Sequence, residues 1–178
     1  TPNTGDLPDA PDTSPDDSNI SRFLGISTRG IISASKTMFT GFTVKGTESK
    51  KVALMGKGKS MTSIDPSINY VKDPSMLILQ LTAQGWQAVA QVDDLNSVAG
   101  EQHISSVEGK EGISMPIDDK ESAVVLTLEP GSYAFILSAN DTDIGNEARE
   151  AIVEAYEIPS DNETSRFLGI STRGSISA

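Results

Sequence analysis

His103 is the only histidine of the 178-residue chain and there is no cysteine, so nucleophilic catalysis by the usual pairings reduces to a serine activated by His103. The stretch EQHISS places Ser105 and Ser106 close to it. Adjacency in sequence is not the geometry of a nucleophile and its base, and a solvated loop histidine is the simpler reading. The stretch NDTDIGNE gathers Asn140, Asp141, Asp143 and Glu147 around a glycine. Oxygen donors in such a loop can hold calcium, which makes Asp141, Asp143 and Glu147 candidate ligands. Their spacing is not that of an EF-hand loop, and a polar hairpin turn is the preferred reading. GKGKS, residues 56–60, lacks the upstream glycine of a phosphate-binding loop and no helix pattern follows it. Acid pairs stand at Asp93/Asp94 and Asp118/Asp119. The expectation is a non-enzyme with no required cofactor.

The strongest signal is a duplication. SRFLGISTRGIISA at residues 21–34 returns as SRFLGISTRGSISA at 165–178, with Ile31 against Ser175 the one difference. On a strand, Arg22, Leu24, Ile26 and Thr28 share one face, and Phe23, Gly25, Ser27 and Arg29 the other. Leu24 and Ile26, and likewise Leu168 and Ile170, are the expected core pairs. Gly25 and Gly169 allow a neighbouring backbone or ring to come close, and Gly30 allows a following turn. The first copy precedes a complete domain and has a slot there. The second copy is expected to lack a host and to pair elsewhere, because an unpaired apolar strand invites edge pairing. It would open the next repeat of a tandem array or enter the sheet of the next subunit. Arg166, Phe167, Leu168, Gly169, Ile170 and Arg173 would then make the joint, with Arg22, Phe23, Leu24 and Ile26 as their counterparts. A third arrangement sets both copies side by side in one sheet.

The elements that would position these segments read as β. TMFTGFTVKG alternates and ends at a glycine; KKVALMG and SMLILQLT are short apolar runs; GWQAVAQV follows SMLILQLT closely enough for a hairpin. SAVVLTL, EPGS and YAFILSA suggest a second hairpin. EAREAIVEAYEIP could form a helix, since Ala and Glu favour one, but a strand is preferred because Ala151, Val153 and Ala155 alternate with Ile152, Glu154 and Tyr156. Residues 93–118, polar and glycine-rich, read as a long loop or a set of irregular edge pieces. The expected fold is all-β, a β-sandwich or jelly-roll-like domain of about nine or ten strands. Residues 1–20 form an extended Pro/Asp-rich leader, 21–160 the sandwich, and 161–178 the terminal strand. The leader holds four prolines and five aspartates with no basic residue, and such a segment orders only against another surface.

A net charge of −11 argues against nucleic acid as a partner. Lys50, Lys51, Lys57 and Lys59 form the one basic cluster, which could meet an acidic neighbour but reads more simply as a solvated turn and strand edge. No apolar run reaches the roughly 20 residues of a membrane-spanning helix. N-x-S/T triplets occur at Asn19, Asn140 and Asn162.

RFLGISTRG resembles the RLxNISTRG-type opening of a bacterial extracellular tandem β-repeat family found in large secreted proteins. FTGFTVKG is similar to its IxGFxIxG segment. KKVALMGKGKSM is similar to KxVLIRAxGPSL, with Met55 and Lys59 in place of the usual Arg and Pro. DPSMLILQL, GWQAVAQVDD, ESAVVLTLEPGSYAFIL and EAIVEAYEI follow in the family's order, so the resemblance runs from about residue 22 to residue 174. It implies a secreted or cell-surface β-domain with no catalytic residues to carry over. The expected function is a structural subunit of an extracellular filament or surface array, in which copies of the chain join head to tail. The alternative is a glycan- or ligand-binding adhesin module, with Trp86 and Tyr133 as a stacking platform.

Overall fold

Met38, Thr40, Phe42 and Val44 are buried, whereas the residues between them are only partly covered. A period of two with one face inward is the signature of a half-buried strand. The structure, a computed structural model, describes residues 24–95, 103–110, 112–145, 147–159 and 164–173. Its strands are β1 (Gly25–Ile32), β2 (Met38–Lys45), β3 (Lys50–Lys57), β4 (Pro74–Thr82), β5 (Gly85–Val92), β6 (Ser122–Leu128), β7 (Gly131–Ala139), β8 (Arg149–Glu157) and β9 (Arg166–Arg173). They form two antiparallel sheets, a four-stranded one in the order β1-β8-β3-β6 and a five-stranded one in the order β5-β4-β7-β2-β9. No α-helix occurs among the described residues, and no helix there is long and apolar enough to cross a membrane.

The inner faces of the two sheets make one core. Val52, Leu54 and Val153 from the four-stranded sheet meet Met76, Phe135 and Leu137 from the other, all at most 1% exposed. The expected β-sandwich is the architecture found, and the Ala-rich stretch before Pro159 is strand β8, with Ala151, Val153 and Ala155 inward. The β4–β5 hairpin forms as well, closed by Gly85 at φ +98°, where a side chain would be strained. A second, smaller cluster covers the outer face of the four-stranded sheet. Ile104 and Val107, from a short 3-10 turn, pack there on Met55, Val125 and Ile158. Part of the stretch read as a polar loop is therefore a lid of buried apolar groups.

Three expectations are corrected. SAVVLTL and YAFILSA are not a hairpin: β6 lies in the four-stranded sheet and β7 in the five-stranded one, so the EPGS turn crosses between layers. Gly30 does not open a turn, because β1 runs on to Ile32 and Gly30 takes the Met38 side chain against it. Lys50 and Lys57 are not a solvated edge; their side chains are 0% and 3% exposed, each paired with a buried glutamate.

Candidate joining site

The second copy of the duplicated segment has a host in its own chain. β9 pairs antiparallel with β2, from Phe39↔Arg173 to Lys45↔Arg166, as the outermost strand of the five-stranded sheet. The first copy, β1, pairs with β8 as the outermost strand of the other sheet. The expectation that residues 166–173 must find a sheet elsewhere is thereby corrected, and the copies do not share a sheet. They meet at one flank of the sandwich, where Thr28 Oγ1 and Thr172 Oγ1, equivalent positions of the repeat, lie 3.2 Å apart.

Of the anchors expected in the second copy, Phe167 is buried and Leu168 is not. Phe167 is 5% exposed and packs on Phe42 with ring centroids 5.3 Å apart, whereas Leu168 is 42% exposed. The reason is a bulge. Phe42 pairs with Ile170 and Thr43 with Leu168, so Gly169 is an extra residue opposite no partner. An extra residue reverses the alternation beyond it, and Phe167 rather than Leu168 turns inward. In the first copy Ile26 packs against the core, but Leu24 is 44% exposed. Gly25 performs as expected: the Tyr156 ring sits so close that an added Cβ would lie 2.4 Å from it. Arg22 and Phe23 lie outside the described residues, as do the sequons' Asn19 and Asn162.

Both copies are held by glutamates of β8 that the sequence did not single out. Glu154 accepts a hydrogen bond from Ser27 Oγ at 3.1 Å and faces Lys57 Nζ at 2.6 Å. Glu157 accepts the Phe167 backbone N–H at 2.9 Å and faces Lys50 Nζ at 2.9 Å. Buried charges persist when paired and hydrogen-bonded, and here each pair fixes one copy of the repeat. The turn after β2 completes the seat of β9. Gly46, at φ +142°, lies against Ser165, whose Oγ accepts the Glu48 N–H at 3.0 Å.

The residues considered for calcium are occupied differently. Arg149, 4% exposed, lies among Asp141, Asp143 and Glu147, with N–O distances of 2.9 Å to the latter two and a closer contact to Asp141. Lys72 adds a second cation 2.5 Å from Asp143. The hydrogen bond from Arg149 holds the Asp143 and Glu147 carboxyls below their ordinary range. A guanidinium thus occupies the place between these three carboxylates, which fits the polar turn preferred over a calcium site. A different trio, Asp73, Asp93 and Asp94, brings carboxylate oxygens within 4.8 Å of one another, with Lys120 Nζ 3.1 Å from both oxygens of Asp94. Burial pushes the Asp73 carboxyl up.

GKGKS binds an anion, but an internal one. Gly58 N–H, Ser60 N–H and Ser60 Oγ donate to the Glu121 carboxylate at 2.9, 2.7 and 2.6 Å, and Ile117 N–H adds a fourth bond at 2.9 Å. Glu121 is 1% exposed, so this loop is a structural clamp. His103, Ser105 and Ser106 are all exposed.

The outer face of the five-stranded sheet holds a further feature. Phe39, Gly41, Leu81, Trp86 and Leu168 line a shallow cleft of about 380 Å³, in which Trp86 stands edge-on to Phe39 at 6.4 Å. Tyr133, offered with Trp86 as a platform, is 2% exposed and stacked inside on Phe42. No protein-family model and no curated protein matches the chain.

Proposed function

We propose that the protein is a non-catalytic structural subunit of an extracellular filament or surface array, whose copies join head to tail through the duplicated strand. The observation that carries this reading is the placement of one sequence as the outermost strand of both sheets, its copies meeting at Thr28 and Thr172. An edge strand has only one partner strand and can leave without opening the sheet behind it. If β9 of one molecule takes the place of β9 in the next, every ladder bond and the Phe167 packing are regained. The exchange is thus close to neutral in contacts and is open-ended, because a heterologous contact propagates unless its rotation closes. The resemblance to extracellular tandem β-repeats supports the same reading, since in an array one segment would end a unit and the same sequence would open another.

Electron microscopy and light scattering of the concentrated chain test it. Fibres or chains that lengthen with concentration are expected, and a peptide of residues 165–178, added in excess, shortens them while a scrambled peptide does not. A monomer at every concentration, or fibres indifferent to the peptide, contradicts the reading.

A further inference from the structure

The chain carries 25 acidic residues and a net charge of −11, yet the five strands of the larger sheet contain no Asp or Glu. Their only charges are Lys45, Arg166 and Arg173. With Phe167 inward and Thr172 against Thr28, alternation and the Gly169 bulge set Arg166, Leu168, Ser171 and Arg173 on the outer face. Register puts Arg173 opposite Phe39, at one side of the cleft, and Arg166 opposite Lys45, at the other. Leu81, Trp86, Val89 and Leu168 are each more than 40% exposed on this sheet. No described residue covers this apolar face, and an exposed apolar face of this kind marks an interaction surface; the outer face of the smaller sheet has its own apolar cover.

Both the aromatic cleft and its basic margin match one segment of the same chain. Residues 8–15 read PDAPDTSP, with Pro8 and Pro11 in P-x-x-P spacing, and residues 1–20 hold five aspartates and no basic residue. Proline-spaced segments favour the polyproline II form and dock in aromatic-lined grooves at low entropic cost. Five strands about 4.8 Å apart span about 19 Å, which a polyproline II segment at about 3.1 Å per residue crosses in about six residues. Pro15 and Leu24 are nine positions apart, about 28 Å at that rise, enough to reach past a sandwich whose sheets lie about 10 Å apart.

We propose that the outer face of the five-stranded sheet is the docking surface for the chain's own residues 1–20, with Pro8 and Pro11 against Phe39 and Trp86 and the aspartates toward Lys45, Arg166 and Arg173. This assignment stands whether or not copies exchange β9. Trp86 is the chain's one tryptophan, so its fluorescence reads the cleft without labels. In the full chain, acrylamide quenching of Trp86 is measured for the wild type, for Pro8→Ala/Pro11→Ala and for Leu168→Asp, with thermal melting as the check that each is folded. From 45% exposure to cover by a docked segment, the wild type is expected to quench at least about two-fold less than either variant. Added peptide of residues 1–20 restores protection to the proline variant, and high salt weakens that protection by screening the aspartates. Equal quenching in the wild type and the proline variant overturns the proposal. So does an oligosaccharide that protects Trp86 when the peptide does not, which would give the cleft to a glycan.

Discussion

Phe167 and Leu168 are chain neighbours with opposite surroundings, and they separate the roles of the two sides of β9. Phe167→Ala is expected to cost about 3–5 kcal/mol in chemical denaturation, because it empties a place beside Phe42 in the core. Leu168→Ala, at 42% exposure, is expected to stay within about 0.5 kcal/mol. Both residues are expected anchors of the joint, but strict alternation through Gly169 makes Leu168 and Ile170 the core pair. A bulge is set by the pairing partner, and nothing in RFLGISTRG alone announces it. Arg149 teaches the same lesson. Its neighbours looked like metal ligands because donor oxygens are visible in sequence, while the guanidinium that claims them is brought in by the strand that follows. Asp143 and Glu147 have folded pKa values depressed below their unfolded ones. Their contribution to stability is therefore complete above the ordinary carboxylate range and is lost as pH falls through and below it. In an acid titration followed by circular dichroism, Arg149→Ala is expected to be less stable at neutral pH by about 3–5 kcal/mol, because Asp141 is left buried without its cation. Its stability should also depend less on pH below about 4 than that of the wild type.

At the scale of elements, the strands themselves were largely legible. β2, β4, β5 and β8 follow from alternation and glycine or proline punctuation, which are local properties of the chain. Which strands share a sheet was legible for the β4–β5 hairpin but not for β6 and β7: a Pro-Gly turn looks the same whether it closes a hairpin or bridges two layers. Nor could the sequence pair Lys50 with Glu157, residues whose burial depends on three strands coming together. Two substitutions address the seat of β9. Gly46→Ala would set a Cβ within 2.5 Å of the Ser165 backbone at a backbone angle that side chains rarely adopt, and a loss of about 1–3 kcal/mol is expected. Glu157→Ala removes both the Lys50 ion pair and the acceptor of the Phe167 N–H. Hydrogen exchange should then speed up over residues 166–173 before it does in β3 or β7, since an edge strand opens at lower free energy than the sheet centre. Uniform acceleration across all strands would mean that β9 is not a separately releasable element.

For the whole molecule, the duplication was legible as a demand for two equivalent slots, and the sandwich supplies them at the outer strand of each sheet. Location of the second slot within the same chain was not legible, because it depends on β2 offering an edge that only the folded sheet defines. The structure holds β9 on β2 of its own chain, and under the proposed function a neighbour's copy would replace it, so that assembly would be an exchange between similar states. Thr28→Cys/Thr172→Cys tests this most directly in a chain that has no other cysteine. Oxidised as a dilute monomer, the double variant is expected to form one intrachain disulfide and to remain monomeric on concentration, then to polymerise once reduced. Failure of the disulfide to form, or polymers growing from chains in which it is intact, would contradict the placement of the two copies or the release of β9 on which the joining depends.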